Sequence, residues 1–471
     1  MSTNQLGSLT LALLLLVLGA NLLGQLFTRF RQPRVVGEIL AGVLLGPSLL
    51  GHFAPGTAAS LFGDGPKDPA TVVLSFLYNL GLLLLMLVSG SSVRHVLGKE
   101  NRKPTAWILG LAKPLPFFLA LLVAPLLLPL DAMMGPVGSR QALVLVLAIA
   151  VAVTSIPVIT KIFYDLGILH TRFASLMLGV AVLEDIMLWG VLAVATAVAS
   201  ATVAAAGGGL AETISVHVGV NVAYVLVALT VAPAVLRWLG RARWNPLAQQ
   251  TPAAWIICVF LGYVAVAAAL DVTLVFAAFL AGFGIVGGMQ ATERQRLRVP
   301  LDAISHLSGA VFIPIYFAIV GYRLDFTKAF SPLMLLAFLL GSSVVALLSV
   351  GLAARLAGFR GLDVANLALT CNARGGPGIV LASVAFDAGI INAAFFTTLV
   401  VTAVLTSQAA GFWLDYVLRK GWPLLKAEGP VHSAIRPRPE LAPAPQLAPA
   451  ETDIDGDGGR RSAVPGLDSV G

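Results

Sequence analysis

Apolar residues form long runs through most of the chain, and short polar connections separate them. Thirteen runs are long enough to cross a hydrocarbon layer about 30 Å thick as helices. They are 6–27, 35–51, 71–93, 105–129, 139–163, 173–200, 214–239, 252–270, 272–290, 302–321, 331–354, 362–386 and 390–417. The pattern predicts an all-α polytopic membrane protein with about thirteen transmembrane helices. They form a transmembrane domain over 1–426, and the Pro-, Ala- and Gly-rich residues 427–471 predict a disordered tail.

Two of these runs carry helix-breaking and polar residues near their middle. The fifth run contains Thr154, Ser155 and Pro157, and the twelfth contains Asn372, Arg374 and Gly375, followed by Gly-Pro-Gly. Such breaks free backbone groups, which are tolerated inside a membrane only where protein covers them or where they line a cavity. The two runs are seven apart in order, and an odd offset predicts opposite orientations. Paired interrupted helices of this kind are typical of transporters built from inverted repeats.

Two adjacent acids lie deep in the sixth run. Between Phe173 and Ala211, Glu184 and Asp185 are the only charged residues. Twelve residues of helix after Arg172 bring the pair roughly 18 Å into the membrane. A buried charge there costs at least about 2.5–3.5 kcal/mol, so the pair is a candidate functional site.

The distribution of basic residues predicts the orientation of the chain. With the N-terminus outside, twenty Lys and Arg residues fall in cytoplasmic connections and four in outer connections. This asymmetry follows the positive-inside rule and predicts a cytoplasmic C-terminus. The chain is 58% hydrophobic and 11% charged, which excludes a soluble protein. The net charge of +7 therefore reflects topology, not nucleic-acid binding.

The residues around these features resemble a known family. PRVVGEILAGVLLGPSLLG at 33–51, AVTSIPVITKIFYDLG at 152–167, AVLEDIMLW at 181–189 and NARGGPGIVLASVAF at 372–386 resemble cation:proton antiporters of the Kef, NapA and plant cation/proton exchanger type. The resemblance implies a homodimer whose protomers have a dimerisation domain and a mobile core domain. It also implies two crossed, unwound helices beside an ion site on the sixth helix.

The resemblance also implies roles for individual residues. Asp185 matches the ion-binding acid, and Thr154 and Ser155 match the polar pair of the first unwound helix. Arg374 and Gly375 match the Arg-Gly pair of the second unwound helix. Some relatives have a lysine on the tenth helix near the ion-binding acid, and because no lysine occurs between 312 and 322 here, Arg374 is the expected central counter-charge. Glu184 is longer than the residue usual at its position. We expect it either to pair with Arg374 or to carry a second proton.

Two further charged residues in apolar runs have simpler explanations. Glu38 follows Arg34 by four residues, a spacing that predicts an ion pair along one helix. Lys113 is close enough to the inner interface to extend its ammonium toward it.

The sequence thus favours a secondary active exchanger of Na⁺ or K⁺ for H⁺ that works by alternating access. The cation and the proton are expected to compete for Asp185. We expect no cofactor, no metal other than the transported cation and no nucleotide-binding regulatory domain. The expected location is a bacterial plasma membrane. The alternative is a sodium-coupled symporter of an organic anion. An intramembrane enzyme is disfavoured because the two acids are adjacent on one helix, and a potassium channel because no filter-like repeat occurs.

Overall fold

Helices account for the regular structure, and they follow the predicted apolar runs. The computed structural model describes residues 2–426 apart from 31, 64, 66, 93–107, 169–170, 205–209, 243–244, 288–290 and 328–329. Within these residues there is no strand, only an isolated bridge between Met134 and Ile391. The tail at 427–471 lies outside the described residues, so its disorder stays a prediction.

The α-helices of the described chain are α1 (Thr3–Arg29), α2 (Arg34–Leu45), α3 (Leu50–Phe53), α4 (Pro55–Phe62), α5 (Pro69–Ser92), α6 (Pro114–Leu127), α7 (Arg140–Ala152), α8 (Ile156–Asp165), α9 (Arg172–Ala204), α10 (Leu210–Arg241), α11 (Pro246–Gln250), α12 (Pro252–Ala269), α13 (Leu274–Gly287), α14 (Ala291–Leu307), α15 (Ile313–Tyr322), α16 (Pro332–Leu356), α17 (Leu362–Cys371), α18 (Gly375–Asp387) and α19 (Ala393–Arg419). A π-helical turn precedes α6 at Ile108–Ala112 and another precedes α15 at Ser308–Phe312.

Many of these helices are suited to a membrane. Among the described residues, nine helical stretches are long and apolar enough to cross one, and three shorter apolar helices accompany them. Each of the thirteen predicted runs contains helix. The all-α membrane architecture is therefore confirmed, whereas the number of crossings stays a prediction.

The first helix illustrates how such a helix divides its faces. A capping box between Ser2 and Gln5 starts α1 by satisfying free backbone donors. Leu9 and Leu16 are buried against neighbouring helices, whereas Leu11 and Leu18 are exposed. Exposed leucines of this kind belong in a hydrocarbon environment, because lipid tails solvate them without cost.

The two interrupted helices run in opposite directions between the same two apolar clusters. The first passes from the larger cluster, which includes Val151, to the smaller cluster, which includes Val158. The second begins in the smaller cluster, which includes Cys371, and continues into the larger one at Ile379. The predicted opposite orientation is confirmed. The polar breaks form the layer where the two clusters meet.

Close backbone contact fixes α2 beside α15. A Cβ on Gly42 would collide with the carbonyl oxygen of Ala318, and a Cβ on Gly321 would collide with that of Ile39. Such reciprocal contacts through small residues allow membrane helices to pack at short distance. They fix α2, which carries Glu38, beside α15, and both helices line the cavity described below.

Candidate functional site

The first interrupted helix breaks where the sequence predicts. Helix α7 ends at Ala152 and α8 begins at Ile156, with non-helical backbone between them. The hydroxyl oxygen of Ser155 accepts a hydrogen bond from the backbone N–H of Val158 at 3.3 Å and so caps α8. The backbone of Pro157 lies in the first turn of α8, where the missing N–H costs no helical hydrogen bond. The side chain of Pro157 lies outside the described residues.

The second break lies between α17 and α18, and hydroxyls of α19 support it. Helix α17 ends at Cys371 and α18 begins at Gly375. The N–H of Gly375 donates to the Ser407 hydroxyl at 2.9 Å, and the N–H of Arg374 donates to the Thr406 hydroxyl at 3.4 Å. These side chains satisfy donors at the start of α18 that have no partner within their own helix.

The two breaks are hydrogen-bonded to each other. The N–H of Ser155 donates to the carbonyl of Ala373 at 2.7 Å. The hydroxyl of Thr154 donates to the carbonyl of Cys371 at 2.6 Å. Both Thr154 and Ser155 are fully buried. Residues more than 200 positions apart in the sequence thus meet in one polar layer inside the apolar helix bundle.

Gly375 is expected to tolerate no side chain at this junction. Its φ is +38°, and a Cβ there would lie 2.6 Å from the Ser155 hydroxyl oxygen and would also collide with Val158. We predict that Gly375→Ala loses most of the folded protein, measured by size-exclusion chromatography in detergent. Gly376→Ala is the matched control, because its Cβ would meet only Phe317 at 4.0 Å. Equal yields from the two variants would contradict the prediction.

Lys113 reaches the first break, which the sequence did not reveal. Its side chain is 7% exposed, and its ammonium donates to the carbonyl of Ala152 at 3.1 Å and to the Thr154 hydroxyl. Ala152 ends α7, and Thr154 in turn donates to Cys371, which ends α17. One buried cation therefore binds the negative C-terminal end of α7 directly and is connected to that of α17 through the Thr154 hydroxyl. The expectation that Lys113 extends toward the membrane interface is wrong.

A local sequence signal for this role exists, although it is weak. Lys113 is a single cation in a long apolar run, and Pro114 follows it directly. The π-helical turn at Ile108–Ala112 precedes it, and such turns often occur at functional sites. The sequence cannot show which oxygens the ammonium reaches, since these lie about forty residues away on another helix.

Arg374 is buried at the second break, and its head group has no hydrogen-bond partner within the part of the chain that the structure describes. The residue is 2% exposed, and none of its guanidinium nitrogens has a partner among the described residues. Its Cζ lies 5.7 Å from the centre of the Phe338 ring, within the range of a cation–π contact. Nearby, the Asn372 amide donates to the Ser343 hydroxyl at 3.1 Å. The role of Arg374 as central counter-charge stays a prediction.

The two acids belong to a continuous helix. The backbone of Glu184 and Asp185 lies within α9, and their side chains lie outside the described residues. Along the backbone of α9, position 185 is about one helical turn before Trp189. The pairing and ion-binding roles predicted for these acids stay predictions.

A cavity of about 290 Å³ leads from one end of the bundle to the second break. Arg34 and Glu38 of α2 line one part of it, and Gly376 and Pro377 line another. Trp189 of α9 also lines this cavity. The cavity thus brings the first turn of α2, the start of α18 and the acid-bearing helix to one space.

The opposite end of α18 is closed by polar contacts. Asp387 accepts a hydrogen bond from the Tyr78 hydroxyl at 2.8 Å and forms an ion pair with Arg323 at 2.6 Å. The guanidinium also lies over the Tyr78 ring, 4.0 Å from its centre. Deeper in, the Tyr316 hydroxyl donates to Ser383 at 3.1 Å. These contacts connect α18 to α5 and α15, and no local pattern in the sequence indicates them.

Comparison with known proteins agrees with this architecture. The family model described as "Sodium/hydrogen exchanger, transmembrane" matches residues 12–420. The Na⁺/H⁺-K⁺ antiporter GerN of Bacillus cereus is 24% identical over 85% of this chain and 94% of its own. The Na⁺/H⁺ antiporter NhaS4 of Synechocystis is 26% identical over 86% of this chain and 96% of its own. The chain spans less than half the length of the plant and yeast relatives that it matches.

A solved structure shares the fold. The sodium proton antiporter MjNhaP1 from Methanocaldococcus jannaschii superposes with a TM-score of 0.54, covering 88% of this chain and 96% of that chain. At 13% identity this likeness shows the fold alone. The family model covers most of the sequence, and the interrupted helices and apolar spans are those of an integral membrane protein. The chain belongs to the transmembrane sodium/hydrogen exchanger family.

Proposed function

We propose that the protein exchanges a monovalent cation, Na⁺ or K⁺, for H⁺ across a membrane. The observation that carries this proposal is the buried junction of two antiparallel interrupted helices beside the acid-bearing helix α9. Breaks of this kind serve substrate and ion sites in secondary transporters. GerN is named as an antiporter of Na⁺, K⁺ and H⁺, and NhaS4 as an antiporter of Na⁺ and H⁺, which supports the same ions for this chain.

Asp185 is the proposed exchanging group. A carboxylate can hold a proton or a cation but not both at once, and this exclusion couples the two fluxes. The positive N-terminal ends of α8 and α18 lie at the breaks, where they favour a negative partner. Thr154 supplies a hydroxyl oxygen to the same layer, and hard cations prefer such oxygen ligands. Both hydroxyls already have partners, because Thr154 bonds to Lys113 and Cys371 and Ser155 caps α8, so the cation is proposed to compete with these contacts.

Glu184 is proposed to act beside Asp185, not as its equivalent. Neighbouring residues on a helix point about 100° apart, so both cannot face one ion squarely. The guanidinium of Arg374 has capacity for a carboxylate partner. Glu184 either pairs with it or carries a second proton.

The unequal ends of the bundle support alternating access as the proposed mode of transport. The cavity opens beside Arg34, while contacts around Asp387 close the other end. The positive-inside pattern supports a cytoplasmic opening, with the N-terminus outside and the C-terminus inside a bacterial plasma membrane. We further propose that the helices of 1–426 form the transport domain and that the protein acts as a homodimer.

Weakening the closed end is expected to loosen the contact between α18 and its neighbours. Asp387→Asn removes the charge that pairs with Arg323, a half-exposed contact worth about 1 kcal/mol. We predict faster hydrogen–deuterium exchange in peptides covering 383–391, measured by mass spectrometry. Asp302→Asn, in the exposed ion pair with Arg298, is the control and leaves these peptides unchanged. Unchanged exchange in Asp387→Asn contradicts the role of Asp387 in closing this end.

The proposed function is tested with the purified full chain in proteoliposomes. A pre-formed pH gradient is followed with a pH-sensitive dye while Li⁺, Na⁺, K⁺ or Rb⁺ is added. We expect Na⁺ or K⁺ to dissipate the gradient. The rates with Li⁺ and Rb⁺ then show which ion size the site prefers. Uptake of an organic anion driven by Na⁺, with no proton flux, would instead support a symporter.

A further inference from the structure

Glu38 is a buried acid in the cavity that leads to the breaks. Its side chain is 5% exposed, although the cavity reaches it. Among the described residues that line this cavity, Glu38 and Arg34 carry the charges, and most of the others are apolar. A cation that enters beside Arg34 therefore meets the carboxylate of Glu38 before it reaches Pro377 at the second break.

Arg34 forms an ion pair with Glu38, and it also donates a hydrogen bond to Asn21 that does not depend on Glu38. Its Nε lies 2.8 Å from the carboxylate of Glu38, and its Nη2 donates to the amide oxygen of Asn21 at 2.5 Å. The Asn21 amide nitrogen donates to the carbonyls of Val17 and Ala310, which fixes the orientation of this acceptor. Asn21 can therefore keep the Arg34 guanidinium in place when Glu38 binds another cation.

The position of the pair argues against a purely structural role. Glu38 and Arg34 are four residues apart on one helix, so their contact joins no two elements. A buried ion pair is weak evidence of stability, because desolvation of the charges offsets much of their attraction. Arg34 is 36% exposed at the cavity mouth, whereas the carboxylate is turned inward. The Arg34 guanidinium is thus paired with a carboxylate that lies beside the path of an entering cation.

We infer that Glu38 is a second binding position for the transported monovalent cation, on the path between the cavity mouth and the breaks. The Arg34 guanidinium occupies this carboxylate until a cation displaces it and then stays bound to Asn21. The inference rests on the proposed exchange, and it adds an entry site to that function. Its ligand is a partly dehydrated alkali cation held by carboxylate oxygen.

The inference predicts opposite effects for the two partners. Glu38→Gln removes the negative charge, so the half-saturating cation concentration for exchange rises about fivefold, as for a contact worth about 1 kcal/mol. Arg34→Gln removes the competing cation, so the same concentration falls. A pair that only stabilises α2 predicts shifts in the same direction, or none, with equal loss of folded protein.

The test measures the half-saturating concentrations of Na⁺ and K⁺ in proteoliposomes for wild type, Glu38→Gln, Arg34→Gln and the double variant. Arg298→Gln and Asp302→Asn are matched controls, because their ion pair has the same spacing but is exposed on α14 outside the cavity. We expect no shift in either. Shifts in the same direction, or none, for Glu38→Gln and Arg34→Gln overturn the inference. If Glu38→Gln does not fold, Arg34→Gln decides by the sign of its shift.

Equilibrium binding of radioactive Na⁺ and Rb⁺ separates this inference from the proposed function. In Asp185→Asn, which is expected not to exchange, Glu38 should retain weak cation binding that the further change Glu38→Gln removes. Equal binding by these two proteins contradicts the entry site even if wild-type exchange is normal. Absence of exchange in the wild type contradicts the proposed function, whatever the binding assay shows.

Discussion

Asp185→Asn is expected to reduce cation-driven proton flux to the level of protein-free vesicles. Asparagine preserves the shape of the side chain but has neither a negative charge nor a titratable proton. If cation and proton compete at Asp185, both halves of the cycle are lost together, and the rate falls by at least about 100-fold, or about 2.7 kcal/mol. The rate is measured as dissipation of a pH gradient by Na⁺ and K⁺.

Glu184→Gln is the matched comparison for this variant, because it makes the same chemical change one residue earlier. We expect altered but measurable exchange, since Glu184 is proposed to assist Asp185. Equal loss in both variants would show that our division of roles is wrong. Normal exchange in Asp185→Asn would show that the ion carrier lies elsewhere.

Lys113→Met is expected to reduce both the stability of the protein and its transport rate. The variant removes charge-assisted hydrogen bonds to Ala152 and Thr154, each worth about 1.5–3 kcal/mol. It also leaves the C-terminal ends of α7 and α17 without their cation, a loss of up to about 2 kcal/mol. We predict a lower unfolding temperature in detergent and at least about a tenfold lower exchange rate, or about 1.4 kcal/mol.

Two further lysine variants separate charge from size. Lys113→Arg keeps the charge in a larger head group and is expected to retain part of the exchange. Lys420→Met removes an exposed lysine at the end of α19 and is expected to change neither unfolding temperature nor rate. Wild-type stability and exchange in Lys113→Met would contradict a role for this ammonium at the breaks.

Much of the architecture follows from local sequence. Runs of about twenty apolar residues predict membrane helices, because hydrocarbon forces each backbone to satisfy its own hydrogen bonds. Proline and glycine in two of these runs predict interruptions, which lie between α7 and α8 and between α17 and α18. Their opposite orientation follows from counting helices, and the apolar clusters confirm it. The ion pair predicted between Arg34 and Glu38 is also present, since a spacing of four residues places both on one helix face.

The contents of the polar layer depend on tertiary structure. The apolar runs place Lys113 and Glu38 in predicted membrane segments, but they do not show what these side chains face. Packing brings Lys113 to oxygens of the first break and places Glu38 on the wall of a cavity. Likewise, Tyr78 and Asp387 are 309 residues apart and meet only because α5 packs against the end of α18. The sequence by itself determined the helices, their breaks and the acid pair, because these depend on local hydrophobicity and backbone chemistry. Only the tertiary structure decided which charges share the breaks and the cavity, because partners on different helices are chosen by how the helices pack.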